Sequence, residues 1–270
     1  MELINNIDIE ELTLKIKDSK PFPHFCIDDF LEAEFANDIY QSFPSYLEAQ
    51  QMGRNFSAVN EKKKIQITDA NKFPEAILRL HHLLASPEFI SMLEKITGIS
   101  HLMADPDLIG GGIHETNSGG HLDVHVDFNF IPQKQWHRRL NLLIYFNKDW
   151  KEEYGGYLDI WDKDIKQCYG SFAPIFNRAC GFATSEISFH GVTPVKCPPG
   201  QMRQSFAVYY YTKETPEDWQ GGVHSTVFKA RPDEWLKGNI LMPVEESITG
   251  TKLAWGNIKA KAKKMLNFTR

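Results

Sequence analysis

The chain has 270 residues, 42% hydrophobic and 24% charged, enough for one large domain with its own core and ordinary for a soluble globular protein. Its net charge of −5 gives no electrostatic reason to expect a nucleic-acid partner. Apolar runs such as Leu140-Asn-Leu-Leu-Ile-Tyr-Phe146 are too short to span a bilayer, and the acidic start lacks the apolar stretch of a signal peptide, so the expected location is the cytoplasm.

Taken in chain order, the first hundred residues read mainly as helices around one short strand. Ile9–Ile16 is amphipathic, Pro21–Ile27 suits an entry strand, and Glu32–Phe43 suits a helix. The apolar set Phe73, Ala76, Ile77, Leu80, Leu83 and Leu84 follows helical spacing, with His81-His82 expected on its exposed side. Pro87 marks a helix start and Gly98 its end. Beyond about residue 106 short β-like runs follow one another: Gly119–Asp127, Arg139–Asn147, Gly156–Trp161, Gly181–Ser185, Gly191–Val195 and Arg203–Thr212. Helices first and strands later predict a mainly β fold with α, in which the N-terminal helices pack on one sheet of a sandwich or jelly-roll barrel. The expected organisation is a single domain over 1–270. It has a mainly helical part over 1–105, a β core over 106–212 and a C-terminal extension over 213–270. The basic end from Lys259 to Phe268 reads as a solvated helix.

Four cysteines, Cys26, Cys168, Cys180 and Cys197, are scattered without a CxxC pair, which argues against structural zinc and for reduced thiols. The chemistry concentrates elsewhere, in Gly119-Gly-His-Leu-Asp-Val-His-Val-Asp127. On a strand, His121, Asp123, His125 and Asp127 share one face and Leu122, Val124 and Val126 the other. Four titratable groups on one face are costly in a dry core unless something pairs them, and a metal ion does so. Two histidines and one carboxylate on one face of an octahedron form the facial triad of non-haem Fe(II) oxygenases. Alternation does not choose between the two His-x-Asp pairs. The third ligand must come from elsewhere, and His190, ahead of a β-like run, is the best candidate.

A second constellation follows. In Arg203–Thr212 the residues Arg203, Ser205, Ala207 and Tyr209 share a face, on which Arg203 suits a bidentate pair with a carboxylate and Ser205 a supporting hydrogen bond. In the strand from Arg139, Leu140, Leu142, Ile144 and Phe146 form an apolar face. Asn141, Leu143 and Tyr145 form a mixed one able to hold a polar ligand. His114 and Glu115 either line a cavity or end a strand. Asn129 and Trp136 lie in the loop after the metal pair, and Trp150 and Trp161 read as core anchors.

Together His125-Val-Asp127, Arg138-Arg-Leu-Asn-Leu-Leu-Ile-Tyr-Phe-Asn-Lys-Asp-Trp150, Gly155-Gly-Tyr-Leu-Asp-Ile-Trp161, His190-Gly-Val and Arg203-Gln-Ser resemble the prolyl 4-hydroxylase-like branch of the 2-oxoglutarate/Fe(II)-dependent dioxygenases. The resemblance runs from about His121 to Thr212. It implies a double-stranded β-helix, a cupin-like jelly-roll, and it selects His125, Asp127 and His190 as metal ligands over the upstream pair. It implies that Tyr145 and Arg203 bind the distal carboxylate of 2-oxoglutarate, with Ser205 and Asn141 beside them. The longer gap to Arg203, around Lys196-Cys-Pro-Pro-Gly200, departs from the family pattern and leaves Arg178 as a fallback. The cofactors implied are Fe(II) and the cosubstrate 2-oxoglutarate, with ascorbate as an accessory. The expected reaction hydroxylates an unactivated C–H of a peptide, amino acid, sugar or natural product, with release of succinate and CO₂. The alternative is an inactive cupin-like protein that binds a metal or small molecule. A small-molecule or peptide substrate is the expected partner; nucleic acid is not.

Overall fold

The computed structural model describes residues 2–219, 222–232 and 234. The chain groups into one compact unit over Met1–Lys229 and a second from Ala230 onward. The predicted basic C-terminal helix lies outside the described residues.

The first unit opens with α1 (Ile9–Asp18), β1 (His24–Ile27), α2 (Ala33–Ser42), α3 (Tyr46–Met52), β2 (Arg54–Ser57), β3 (Glu61–Ile67), α4 (Glu75–Leu84) and α5 (Pro87–Thr97). The strands β4 (Met103–Ala104), β5 (Gly112–Val126), β6 (Phe130–Ile131), β7 (Trp136–Tyr145), β8 (Leu158–Trp161), β9 (Cys168–Phe172), β10 (Arg178–Ala183), β11 (His190–Val192), β12 (Arg203–Thr212) and β13 (Val227–Lys229) follow. Local chemistry places the helix ends. Asp8 caps α1 by accepting the Glu11 amide, and Ser45 with Glu48 forms a reciprocal cap on α3. Ser86 caps α5, Pro87 opens it, and Gly98 ends it in a left-handed conformation.

The backbone path of the sheet runs β1-β10-β7-β12-β5-β11-β8-β9. Strand β5 belongs to both halves of the barrel. Its first part pairs with β12 and β3, whereas its last residues pair with β11 and β13. This is the double-stranded β-helix expected from the sequence. Alternation on β7 and β12 divides the interior. Leu140, Leu142, Ile144, Phe206, Val208 and Tyr210 face the helices, where they meet Ile77, Leu80, Phe89, Leu93 and Ile96. Each such aliphatic side chain stabilises the fold by roughly 1.5–3 kcal/mol. The Tyr210 hydroxyl donates to the Leu84 carbonyl at 2.9 Å and ties β12 to α4. The opposite faces of the same strands point into the barrel.

Several features differ from the sequence reading. Residues 54–67 form a hairpin, β2–β3, that extends the sheet along β5, although this polar stretch carries no clear strand pattern. A strand beyond residue 212, β13, closes on the end of β5. His81 is buried, not exposed: its ring packs edge-on to Phe73 and near Phe206. Among the described residues, no helix is long and apolar enough to cross a membrane.

Candidate metal centre and anion socket

His125 lies near the end of β5, Asp127 just beyond it, and His190 opens β11 directly opposite His125 in the ladder. The two imidazole rings are 4.2 Å apart between centroids. Each holds a backbone carbonyl with Nδ1: His125 that of Asp123 at 2.8 Å and His190 that of Ser188 at 2.9 Å. With Nδ1 protonated for those bonds, each Nε2 keeps a free lone pair. Both Nε2 atoms approach Asp127, at 3.5 Å from Oδ1 for His125 and from Oδ2 for His190. One ligand atom from each of the three residues lies within 4.8 Å of the others. Burial, with His125 alongside, brings the pKa of His190 down to about 3, so its ring is neutral at physiological pH. Burial works against ionisation of Asp127, but the Arg138 guanidinium beside it favours the carboxylate, and the carboxyl is held well below the usual range. Two imidazoles and one carboxylate are the donor set that suits a ferrous ion.

Asp127 is held from behind. Asn141 donates Nδ2 to its Oδ2 at 2.8 Å, and Arg138 places Nη2 3.0 Å from the same oxygen. Arg138 also donates Nε to Asn141 Oδ1 at 2.9 Å. The guanidinium sits between aromatic faces, 3.6 Å from the Tyr209 centroid and 4.7 Å from that of Phe128. The sequence reading expects Asn141 at the cosubstrate; its side chain lines the cavity and bridges Asp127 and Arg138. The part taken by Arg138 was missed, since a basic residue at a strand start carries no local sign of its partner.

Strict alternation on β5 does not survive. His190 pairs with His125 but Val192 pairs with Leu122, so a bulge separates the two registers. His121, Leu122, His125 and Asp127 line the cavity, whereas Asp123 does not. Asp123 is fully buried, with Oδ1 3.5 Å from Nε2 of His121. The four polar residues therefore do not form one face. Gly191 stands opposite the bulge, where a Cβ would lie 3.1 Å from the Val124 backbone and the Leu122 carbonyl oxygen.

Across the barrel, Arg203 opens β12 and is buried. Its Nε donates to the Gly156 carbonyl at 2.6 Å, and its guanidinium carbon lies 4.9 Å from the Tyr145 centroid. Gly156 has φ +71°, and a Cβ there would meet Arg203 Cδ at 2.8 Å, so the Gly155-Gly156 turn lets the arginine pass. Ser205 lies directly opposite Tyr145 in the ladder. Arg203 Nη2, Ser205 Oγ and Tyr145 Oη are all buried, and among the described residues none completes a well-aligned hydrogen bond, although Arg203 and Tyr145 lie close enough to interact. Orphaned buried donors cost about 1–3 kcal/mol each, and three together suit an anionic acceptor. Burial also pulls the Arg203 guanidinium below its ordinary pKa, which an anion would relieve. Arg178 is engaged elsewhere: its guanidinium forks onto Asp28, with Nη2 2.8 Å from Oδ2.

Between the two centres lies a cavity of about 300 Å³. The hairpin β2–β3 supplies Arg54, Phe56, Lys64 and Gln66 to its wall, and Phe228 of β13 stacks near His125 with centroids 5.3 Å apart. His114 lines it, whereas Glu115 does not. Asn129 stands off this cavity, donating Nδ2 to Glu186 at 2.9 Å. Trp161 packs with Val124, Val126, Ile165 and Phe189, as a core anchor should.

Residues 111–233 match the family model described as the 2OG-Fe(II) oxygenase superfamily. A prolyl 3-hydroxylase of Mus musculus, OGFOD1, is 28% identical over 185 residues, which cover 66% of this chain and 31% of that protein. The chain thus spans about a third of the length of this curated relative. Among solved structures, a prolyl hydroxylase from Trichoplax adhaerens, bound to a peptide fragment of the hypoxia inducible factor, superposes with a TM-score of 0.55 at 19% identity. That match covers 76% of this chain and 91% of the other. A Pseudomonas putida prolyl-4-hydroxylase gives a TM-score of 0.52 at 16% identity over 74% of this chain and 98% of its own. The facing histidines, the carboxylate between them and the barrel that carries them thus coincide with the match of residues 111–233 to the 2OG-Fe(II) oxygenase superfamily model, and the fold is similar to that of solved prolyl hydroxylases.

Proposed function

We propose that the chain is an Fe(II)- and 2-oxoglutarate-dependent hydroxylase. His125, Asp127 and His190 would hold the iron, and Arg203, Tyr145 and Ser205 the distal carboxylate of 2-oxoglutarate. The observation that carries this reading is the pairing of a two-histidine, one-carboxylate cluster with three buried donors, Arg203, Tyr145 and Ser205, in the same barrel. A ferrous ion with this cosubstrate supplies the oxidising power that converts 2-oxoglutarate and O₂ to succinate and CO₂ and hydroxylates a C–H bond.

The chain's own residues then have separate tasks. Asn141 and Arg138 orient Asp127 and keep it ionised. The Nδ1 bonds of His125 and His190 hold each Nε2 toward the metal position. Arg203 neutralises the far end of the cosubstrate, which fixes the orientation of its oxo-acid end. Leu122, Leu143, Leu158, Phe182 and Val192 line the cavity and limit water around the reacting groups. A peptide or amino-acid substrate is the favoured class, by analogy with relatives named as prolyl hydroxylases. The acidic charge balance favours neither DNA nor RNA. A reducing compartment such as the cytoplasm suits ferrous iron.

The test is succinate release from purified protein given Fe(II), 2-oxoglutarate and O₂ with a panel of peptides, amino acids, small molecules and oligonucleotides. Ferrous-dependent succinate release, stimulated by a peptide or amino acid, supports the proposal. Iron and 2-oxoglutarate binding with no turnover on any candidate would favour a cupin-like binding protein, and oligonucleotide stimulation would overturn the substrate class.

A further inference from the structure

Cys26 and Cys180 face each other across the first ladder of the sheet. They are direct partners in the antiparallel register of β1 and β10. The Cys180 thiol donates to Cys26 Sγ at 3.4 Å. Residues opposed in an antiparallel pair have Cα atoms about 4.5–5.5 Å apart, inside the range of roughly 4.4–6.8 Å that a disulfide spans. Directly opposed positions thus fall in the bridging range, and the two sulfurs, 3.4 Å apart, must approach to about 2.05 Å to bond.

The two thiols are not equivalent. Cys26 is half-buried on β1, at one end of the sheet path, whereas Cys180 is buried beneath it. The hydrogen bond from Cys180, aided by the Arg178 guanidinium, lowers the pKa of Cys26 against the opposing effects of burial and Asp28. Burial and the neighbouring Cys26 raise that of Cys180. A lowered, reachable thiol beside a protonated one is the arrangement of an attacking and a resolving cysteine.

We propose that Cys26 and Cys180 form a reversible dithiol site that reacts with hydrogen peroxide or a related hydroperoxide to give a cross-strand disulfide. The Cys26 thiolate attacks the O–O bond, takes one oxygen as a sulfenic acid and releases hydroxide, which is protonated to water. The Cys180 thiol attacks the sulfenic sulfur; the S–S bond forms, and the hydroxyl leaves with the thiol proton as a second water. Two thiols lose two electrons and one peroxide gains them. The bridge joins β1 to β10 within the apolar cluster that also contains Tyr145, Phe182 and Leu158. The proposal does not depend on the oxygenase reading, since it rests on the thiols alone.

Treating the purified full chain with equimolar hydrogen peroxide should lower its intact mass by two hydrogen atoms, and dithiothreitol should restore it. Peptide mapping should recover Cys26 linked to Cys180. Cys26→Ser and Cys180→Ser should each abolish the loss, while Cys168→Ser and Cys197→Ser keep it. Thermal melts of the four variants establish that each is folded before oxidation, and with either member of the pair a Cys→Ala variant replaces a serine that does not fold. An oxygen added at the exposed Cys168, with Cys26 and Cys180 still alkylated as free thiols, would overturn the proposal.

Discussion

Asn141 donates Nδ2 to Oδ2 of Asp127 at 2.8 Å, leaving Oδ1 on the side of His125 Nε2. This bond predicts that Asn141 serves the metal more than the cosubstrate. Asn141→Ala should weaken ferrous binding about 10- to 100-fold, the usual cost of losing a partner that orients a ligand. Anaerobic titration with Fe(II) measures it. Unchanged iron affinity with a weakened affinity for 2-oxoglutarate would instead put Asn141 at the cosubstrate.

The choice between the two His-x-Asp pairs gives a second prediction. His125→Ala, Asp127→Ala and His190→Ala should each lose stoichiometric binding of Co(II), read from its visible absorption. His121→Ala should retain it, because His121 Nε2 lies 3.1 Å from the Val59 carbonyl oxygen and 3.5 Å from Asp123. Loss of cobalt in His121→Ala with retention in His125→Ala would reverse the assignment.

The cosubstrate end gives a third. Removing the charged partner in Arg203→Ala costs about 1.5–3 kcal/mol, so 2-oxoglutarate affinity should fall roughly 10- to 100-fold. Arg178→Ala should leave that affinity unchanged, because its guanidinium is committed to Asp28. Isothermal titration of the iron-loaded variants separates the two, and the opposite pattern would move the role to Arg178.

Glu115 gives a prediction in pH. Its carboxyl is buried, and burial pushes its pKa up to about 8, with Gln204 opposing the shift. An unfolded glutamate titrates near 4.3, so between about 4.3 and 8 the folded state keeps a proton that the unfolded state has released. Stability therefore falls as pH rises through that window, and the full penalty applies above it. Glu115→Gln removes the ionisation, and its gain in Tm should be larger at about pH 8.5 than at about pH 5. Equal gains at both values would show that ionisation of Glu115 is not the source.

Much of the barrel is readable from local pattern because strand alternation and helix capping depend on neighbours in the chain. β12 runs over the predicted Arg203–Thr212, and its two faces separate as alternation requires, Phe206, Val208 and Tyr210 toward the helices. The same holds for Leu140, Leu142 and Ile144 on β7, and for the Pro87 and Gly98 ends of α5. The grouping of His125 and Asp127 with His190 was legible only through the family resemblance, because alternation along the strand left the upstream pair His121 and Asp123 equally open.

Other features needed the third dimension. Glu61-Lys-Lys-Lys-Ile-Gln-Ile67 has little strand signal of its own; it is a strand because β5 offers it a hydrogen-bonding edge. His81 is buried because Phe206 arrives from β12 and joins the neighbouring Phe73 against its ring. Leu122 replaces Asp123 at the cavity because β11 pairs with β5 through a bulge, and sequence alternation assumes an unbroken register. Asn141 belongs to Asp127 because a residue on β7 meets one beyond the end of β5 only when the barrel closes. Along β7 and β12 the sequence by itself determined which residues face the helices and which face the barrel interior. Only the tertiary structure decided which of them meet, because that depends on strand register and barrel closure, which no single segment encodes.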